Sequence, residues 1–242
     1  MGLLVPILAF GAAVLWISIS ADRRRRTILV DDGVTRAYLL YAPSSRSPDL
    51  KPLVLAYHGF SGSAENMAEE SKLHELVDEG GFYLVYLDGA PSWQFFVPEN
   101  AEVSRDVAFF DRLRDELMES LPIDPGRVYA VGMSRGGDFA VYLAERRSTR
   151  IAAVVTQAAC VSKAVEAERP FPLMIIVGTA DGGVPPDHLV SVPQAFRDRG
   201  HIVEVLRPEN IGHCWHVPSN KRLWEFLSRH TVKDHAVTVS EP

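Results

Sequence analysis

A serine with glycines two positions away on either side, Gly132-Met133-Ser134-Arg135-Gly136, is the first stretch that reads as chemistry rather than packing. It follows the apolar run Val128–Val131 and opens an amphipathic segment carrying Phe139, Tyr142 and Leu143. A serine on such a strand-to-helix turn projects its Oγ above the sheet, and the glycines let backbone pack closely around it. The helix start also offers N–H groups to an anion developing nearby. A serine nucleophile needs a base and an acid to orient that base, and on this kind of turn they follow in the order acid, then histidine. The run Leu173–Val177 ends in Gly178-Thr179-Ala180-Asp181, which makes Asp181 the expected acid and Asp187 the fallback. Of eight histidines, His213 in Gly212-His213-Cys214-Trp215 stands beyond the last strand-like run and is the expected base. His216 is its rival, and His58 is expected to have a structural role beside its glycine.

These groups meet only if the intervening chain forms the right frame. Thr27–Val30 and Arg36–Tyr41 flank Asp31-Asp32-Gly33, a hairpin signal. Leu53–Tyr57, Phe82–Leu87, Arg127–Val131, Ile151–Thr156, Leu173–Val177 and Ile202–Leu206 read as strands, mostly short and apolar. Helices are expected over Ala64 to Glu79, from Val107 to Leu121, from the serine turn to about Arg146, over Pro193–Arg199 and over Asn220–Arg229. Strands alternating with helices imply a mostly parallel central sheet covered on both faces. Asp181 and His213 then fall at the C-terminal edge of that sheet, where Ser134 also sits. Cys160 and Cys214 fall on the same rim, which leaves open whether they pair or stand as two free thiols.

Composition narrows the function. The 242 residues are 47 % hydrophobic and 23 % charged, which suits one globular core. Residues 27–242 carry a net charge of −9 with no basic stripe, which argues against a nucleic-acid partner. Two cysteines make no disulfide scaffold and no zinc ligand set, and no phosphate-binding G-x-x-x-x-G-K-[ST] occurs. The first 26 residues stand apart: Leu3 to Ile19 is apolar but for Ser18, and Arg23–Arg26 follow soon after. The segment is expected to make membrane contact as an anchor, or to be an export signal that leaves a secreted or periplasmic protein. Basic residues after the apolar run favour the cytoplasmic side, so the side stays open. The expected division is 1–26 as this segment, 27–230 as the catalytic domain and 231–242 as a polar tail.

Six stretches, Tyr57–Ala64, Asp78–Gly89, Arg105–Met118, Ile123–Gly137, Val177–Pro185 and Gly212–Trp215, together resemble one family. They are similar to the polyhydroxybutyrate-depolymerase-like and feruloyl-esterase-like esterases of the α/β-hydrolase superfamily, over about residues 36–227. The resemblance implies an α/β-hydrolase fold, an extracellular-type esterase without a cofactor or metal, and Ser134, Asp181 and His213 as the triad. The chain departs from the family's usual pattern at Arg135 and Cys214. The loop Tyr57-His58-Gly59-Phe60 is expected to give an oxyanion donor from the N–H of Phe60, with the N–H of Arg135 as the other.

Between two of the strands, the stretch Val161 to Phe171 has only eleven residues and cannot build a cap domain. An open site suits a polymer-linked or bulky acyl ester, and Trp93, Phe95, Phe96 and Trp215 are candidates to contact it. A peptidase or acyltransferase on the same three residues is the alternative, and a non-catalytic binding protein the least favoured reading.

Overall fold

The computed structural model describes residues 24–31, 34–45, 47–89, 92–95, 104–161 and 167–235. The apolar run 3–19, Phe96 and the end of the polar tail lie outside them. Among the described residues no helix is long and apolar enough to cross a membrane.

Eight strands form one sheet in the order β1-β2-β4-β3-β5-β6-β7-β8. They are β1 (Arg24–Asp31), β2 (Val34–Tyr41), β3 (Lys51–Tyr57), β4 (Tyr83–Leu87), β5 (Ile123–Met133), β6 (Ala153–Gln157), β7 (Leu173–Ile176) and β8 (Val203–Leu206). The last six run parallel; β2 is antiparallel to β4, and β1 to β2. Arg24–Arg26, read above with the N-terminal segment, pair with Leu39–Tyr41 as part of β1.

The apolar runs form buried strands because alternate residues find a layer on each face. Leu53, Leu55, Val85, Val128 and Ala130 pack under α3 (Arg105–Ser120), α4 (Arg135–Arg146) and α5 (His188–Arg197). Val54, Ala56, Leu84, Tyr129 and Val131 face the other way, against α1 (Ala64–Ser71) and α6 (Asn220–Ser228). Ser63 caps α1, its Oγ accepting from the Asn66 N–H at 3.2 Å, and Ser104 caps α3 in the same way through Val107 at 3.3 Å. This is the α/β-hydrolase arrangement, a mostly parallel sheet with a helical layer on each face.

Two helices differ from the sequence expectation. The single helix expected over Ala64 to Glu79 breaks at Lys72, whose φ is +52°, into a 3₁₀ turn (Leu73–Leu76) and the short α2 (Val77–Gly80). The break lets the His74 N–H donate to the buried Tyr86 hydroxyl at 3.1 Å. Helix α5 begins at His188 rather than at Pro193, which lies buried inside it.

A buried ion pair joins the front of the sheet to the helices. Arg36 on β2 bonds to Asp106 on α3, with both side chains almost wholly buried. The other Asp106 oxygen accepts from the Gln94 N–H at 2.7 Å, so the same carboxylate pins the loop after β4.

Candidate active site

Strand β5 ends at Met133 and α4 starts at Arg135, so one residue makes the turn. Ser134 has φ +50° and ψ −122°, a strained conformation for a residue with a side chain. The surroundings hold it there. Its N–H donates to the Gln157 carbonyl at 2.8 Å, and its own carbonyl accepts from Asp138 at 3.0 Å. A Cβ on Gly136 would lie 2.2 Å from the Tyr57 oxygen, and one on Gly132 would lie 2.3 Å from the Gly136 oxygen. Both positions therefore exclude any side chain, which is the physical content of the spacing.

The structure brings together the three residues singled out by type and order. His213 Nε2 lies 3.0 Å from Ser134 Oγ. His213 Nδ1 lies 3.0 and 3.2 Å from the two Asp181 carboxylate oxygens. A carboxylate can only accept, so Nδ1 carries the proton and Nε2 is left to accept from the serine hydroxyl. The Asp181 side chain is fully buried while the imidazole is partly exposed, so the acid stays dry and the base reaches the cleft. Asp181 Oδ1 also accepts from the Gly183 N–H at 2.8 Å. Acid and base loops are tied to each other: Ala180 N–H donates to Ile211 O at 3.0 Å, and Thr179 N–H to Pro208 O at 2.9 Å. The rival His216 is held elsewhere, its Nδ1 2.7 Å from Ser219 Oγ.

The loop after β3 lies against the elbow, with the Cα of Gly59 facing Met133 and Ser134. His58 braces it. Its Nδ1–H donates to Gly59 O at 2.7 Å and its Nε2 accepts from the Gly89 N–H at 2.9 Å. Burial pushes the His58 pKa down and keeps the ring neutral in that role. Among the described residues no acceptor is bonded to the N–H of Phe60 or of Arg135.

The expected aromatic contacts are corrected. Trp93 is 1 % exposed; its Nε1–H donates to His58 O at 2.8 Å and its ring stacks on Phe139. Trp215 is 6 % exposed, its Nε1–H donates to Asn220 Oδ1 at 2.8 Å, and it belongs to the layer of Leu223 and Phe226. Both indoles are buried because their area outweighs the cost of placing one N–H, which each satisfies locally. Phe95 packs edge-on against Phe139 and Tyr142 beneath the Arg135 guanidinium, 4.5 Å from its ring centre. What does open beside Ser134 and His213 is a hollow of about 280 Å³, lined by Phe60, Asn66, Met67, Glu70 and Met133. The sequence reading missed Asn66, Met67 and Glu70 on α1. Their spacing of three and four marks one helix face, but nothing in it says whether that face meets core or cleft.

Two further groups, Gln157 and Asp138, were also missed. Gln157 holds the elbow with its carbonyl and the base loop with its side chain, Oε1 accepting from the His216 N–H at 2.8 Å. Asp138 on α4 has its pKa pushed up to about 6 by burial, against the pull of Arg135, the Cys160 N–H, His188 and His213. Cys160 and Cys214 are free thiols; Cys160 Sγ lies 3.1 Å from Gly183 O.

A model of the family described as esterase PHB depolymerase matches residues 36–178. NocK of Nocardia uniformis subsp. tsuyamanensis, an esterase by name, is 36 % identical over 170 residues, 66 % of this chain and 49 % of its own. The bifunctional acetylxylan esterase/xylanase XynS20E of Neocallimastix patriciarum is 27 % identical over 175 residues, 71 % of this chain and 25 % of its own. The chain thus spans half or less of these relatives. Among solved structures, a thermostable esterase superposes with a TM-score of 0.71 over 87 % of this chain and 64 % of its own, at 19 % identity, which speaks to the fold alone.

Proposed function

The chain belongs to the PHB-depolymerase family of esterases, and from that premise we propose that it hydrolyses carboxylic esters through an acyl-enzyme on Ser134. The observation that carries the reading is the unbroken chain Ser134 Oγ, His213 and Asp181, with links of 3.0 Å each. In this reading Ser134 Oγ attacks the ester carbonyl carbon while His213 Nε2 takes its proton. Asp181 holds the imidazole in the Nδ1–H form and stabilises the imidazolium. The negative charge that develops on the carbonyl oxygen is received by the N–H groups of Phe60 and Arg135. His213 then passes its proton to the departing alkoxide, and the alcohol leaves. Water, deprotonated by the same histidine, attacks the acyl-enzyme and releases the acid. No step calls for a metal or a cofactor.

The connection between β6 and β7 is 15 residues long, too short for a domain over the cleft. That openness favours an ester attached to a polymer or bearing a bulky acyl group. It agrees with the relative named for acetylxylan esters. The test is covalent labelling by a fluorophosphonate probe, followed by turnover of p-nitrophenyl esters, feruloyl esters, short polyesters and peptides. Ser134→Ala is expected to abolish labelling and lower ester turnover by at least about a thousandfold while the protein stays folded. A folded Ser134→Ala variant with near-normal turnover would refute the mechanism. Preferential cleavage of peptides by the unaltered protein would move the assignment to a peptidase.

A further inference from the structure

The hollow beside Ser134 carries an uneven charge. Glu70 and Asn66 stand one turn apart on the face of α1 that lines it, with Met67 between them. Glu70 is exposed, and no Lys or Arg among the described residues forms an ion pair with it. No Lys or Arg lines the hollow either. Its two histidines do not offset the carboxylate. His58 is kept neutral by burial and uses both ring nitrogens on backbone groups. His213 must be neutral at Nε2 to act as the base of the proposed mechanism.

The cation nearest in sequence to the nucleophile is turned away. Arg135 Nε donates to Ser92 Oγ at 2.9 Å and Nη2 to Trp93 O at 3.3 Å, and the guanidinium covers the Phe95 ring. The geometry spends its charge on the 92–95 loop. The hollow is lined by one carboxylate residue, Glu70, together with Met67, Met133 and Phe60, which is 73 % exposed. An aromatic face and a carboxylate around a polarisable floor attract an ammonium group twice over, by ring quadrupole and by charge.

We infer that this hollow is a subsite for a cationic group, and that Glu70 selects esters bearing a quaternary ammonium or protonated amine over anionic ones. The inference rests on the esterase reading above and deepens it. It does not depend on whether the acyl or the alcohol portion enters the hollow, and the probe is chosen accordingly.

The experiment compares trimethyl(3-hydroxyphenyl)ammonium with its neutral isostere 3-tert-butylphenol as competitive inhibitors of p-nitrophenyl acetate hydrolysis. The unaltered protein and Glu70→Gln are assayed side by side at low ionic strength. The exposed carboxylate is expected to be worth about three- to fivefold in the inhibition constant of the cation, lost in Glu70→Gln. The constant for the neutral isostere should stay within about twofold, because it does not sense the charge. About 0.5 M NaCl should reproduce the loss in the unaltered protein. Equal changes for cation and isostere, no change for either, or no competitive inhibition by the cation would overturn the subsite. Absence of turnover on the neutral ester would instead refute the esterase reading, and this inference with it.

Discussion

Asp138→Asn is expected to stabilise the protein, and to do so only away from acid pH. Asp138 lies in the first turn of α4, is half-buried, and has one carboxylate oxygen without a hydrogen-bond partner. Burial raises its pKa from the ordinary 3.8 to about 6 despite nearby positive groups. That difference corresponds to about 3 kcal/mol. The sign follows from the protons. Well below 3.8 both folded and unfolded chains hold the proton, and the group contributes nothing. Between 3.8 and about 6 the unfolded chain releases a proton that the folded protein keeps, so stability falls as pH rises. Above that window the full cost is present. Asparagine has a similar shape and no proton to lose. Its advantage over aspartate should therefore grow by about 2 kcal/mol between about pH 4 and pH 8. Urea unfolding of both proteins across that range, followed by tryptophan fluorescence, measures it. An advantage that does not change with pH would refute the argument, and so would a variant less stable at pH 8 than the parent.

Gly136→Ala places a Cβ within 2.3 Å of two backbone oxygens, those of Tyr57 and His58. It should cost about 3 kcal/mol or more and displace the loop that precedes Phe60, seen as a lower Tm together with lost ester turnover; parental values for both would refute it. Arg36→Met leaves the Asp106 carboxylate buried without its partner and is expected to cost about 3–5 kcal/mol in urea unfolding. A loss under about 1 kcal/mol would show that the pair is worth little. His213→Ala should match Ser134→Ala in its effect on kcat, whereas His216→Ala, whose ring is bonded to Ser219, should be milder. The reverse ranking would move the base to His216.

The parts legible in sequence are those fixed by local rules. Buried strands show as short apolar runs, and Gly132 and Gly136 mark Ser134 because a side chain at either position would meet backbone. Asp181 and His213 were readable from their places after strand-like runs, although their meeting over Ser134 depends on how three loops converge. The remainder is tertiary. Trp93 and Trp215 lie on loops near the cleft, and only the packed structure shows that each turns into the core. The break at Lys72 follows from the Tyr86 hydroxyl on a neighbouring strand, which no helical period registers. Pro193 is a good first residue for a helix, so the reading began α5 there and missed the turn before it. Gln157 looks like any polar strand end until its carbonyl and its amide oxygen are seen holding two different loops.

The reversal of β2 alone leaves β1 running with the parallel strands, and this decides the rim at which the chain ahead of Arg24 meets the sheet. Ser134, Asp181 and His213 all sit beyond the C-terminal ends of parallel strands. In β1, which pairs with β2 from Arg24 opposite Tyr41 to Asp31 opposite Val34, the chain enters from the other rim. The pair also lies at one margin of the sheet, with β4 and β3 between it and β5. A support, label or fused partner joined ahead of Arg24 is therefore linked to the rim opposite the cleft. Immobilising the protein through that end should leave its mouth facing the bulk, open to substrates too large to diffuse into a confined space.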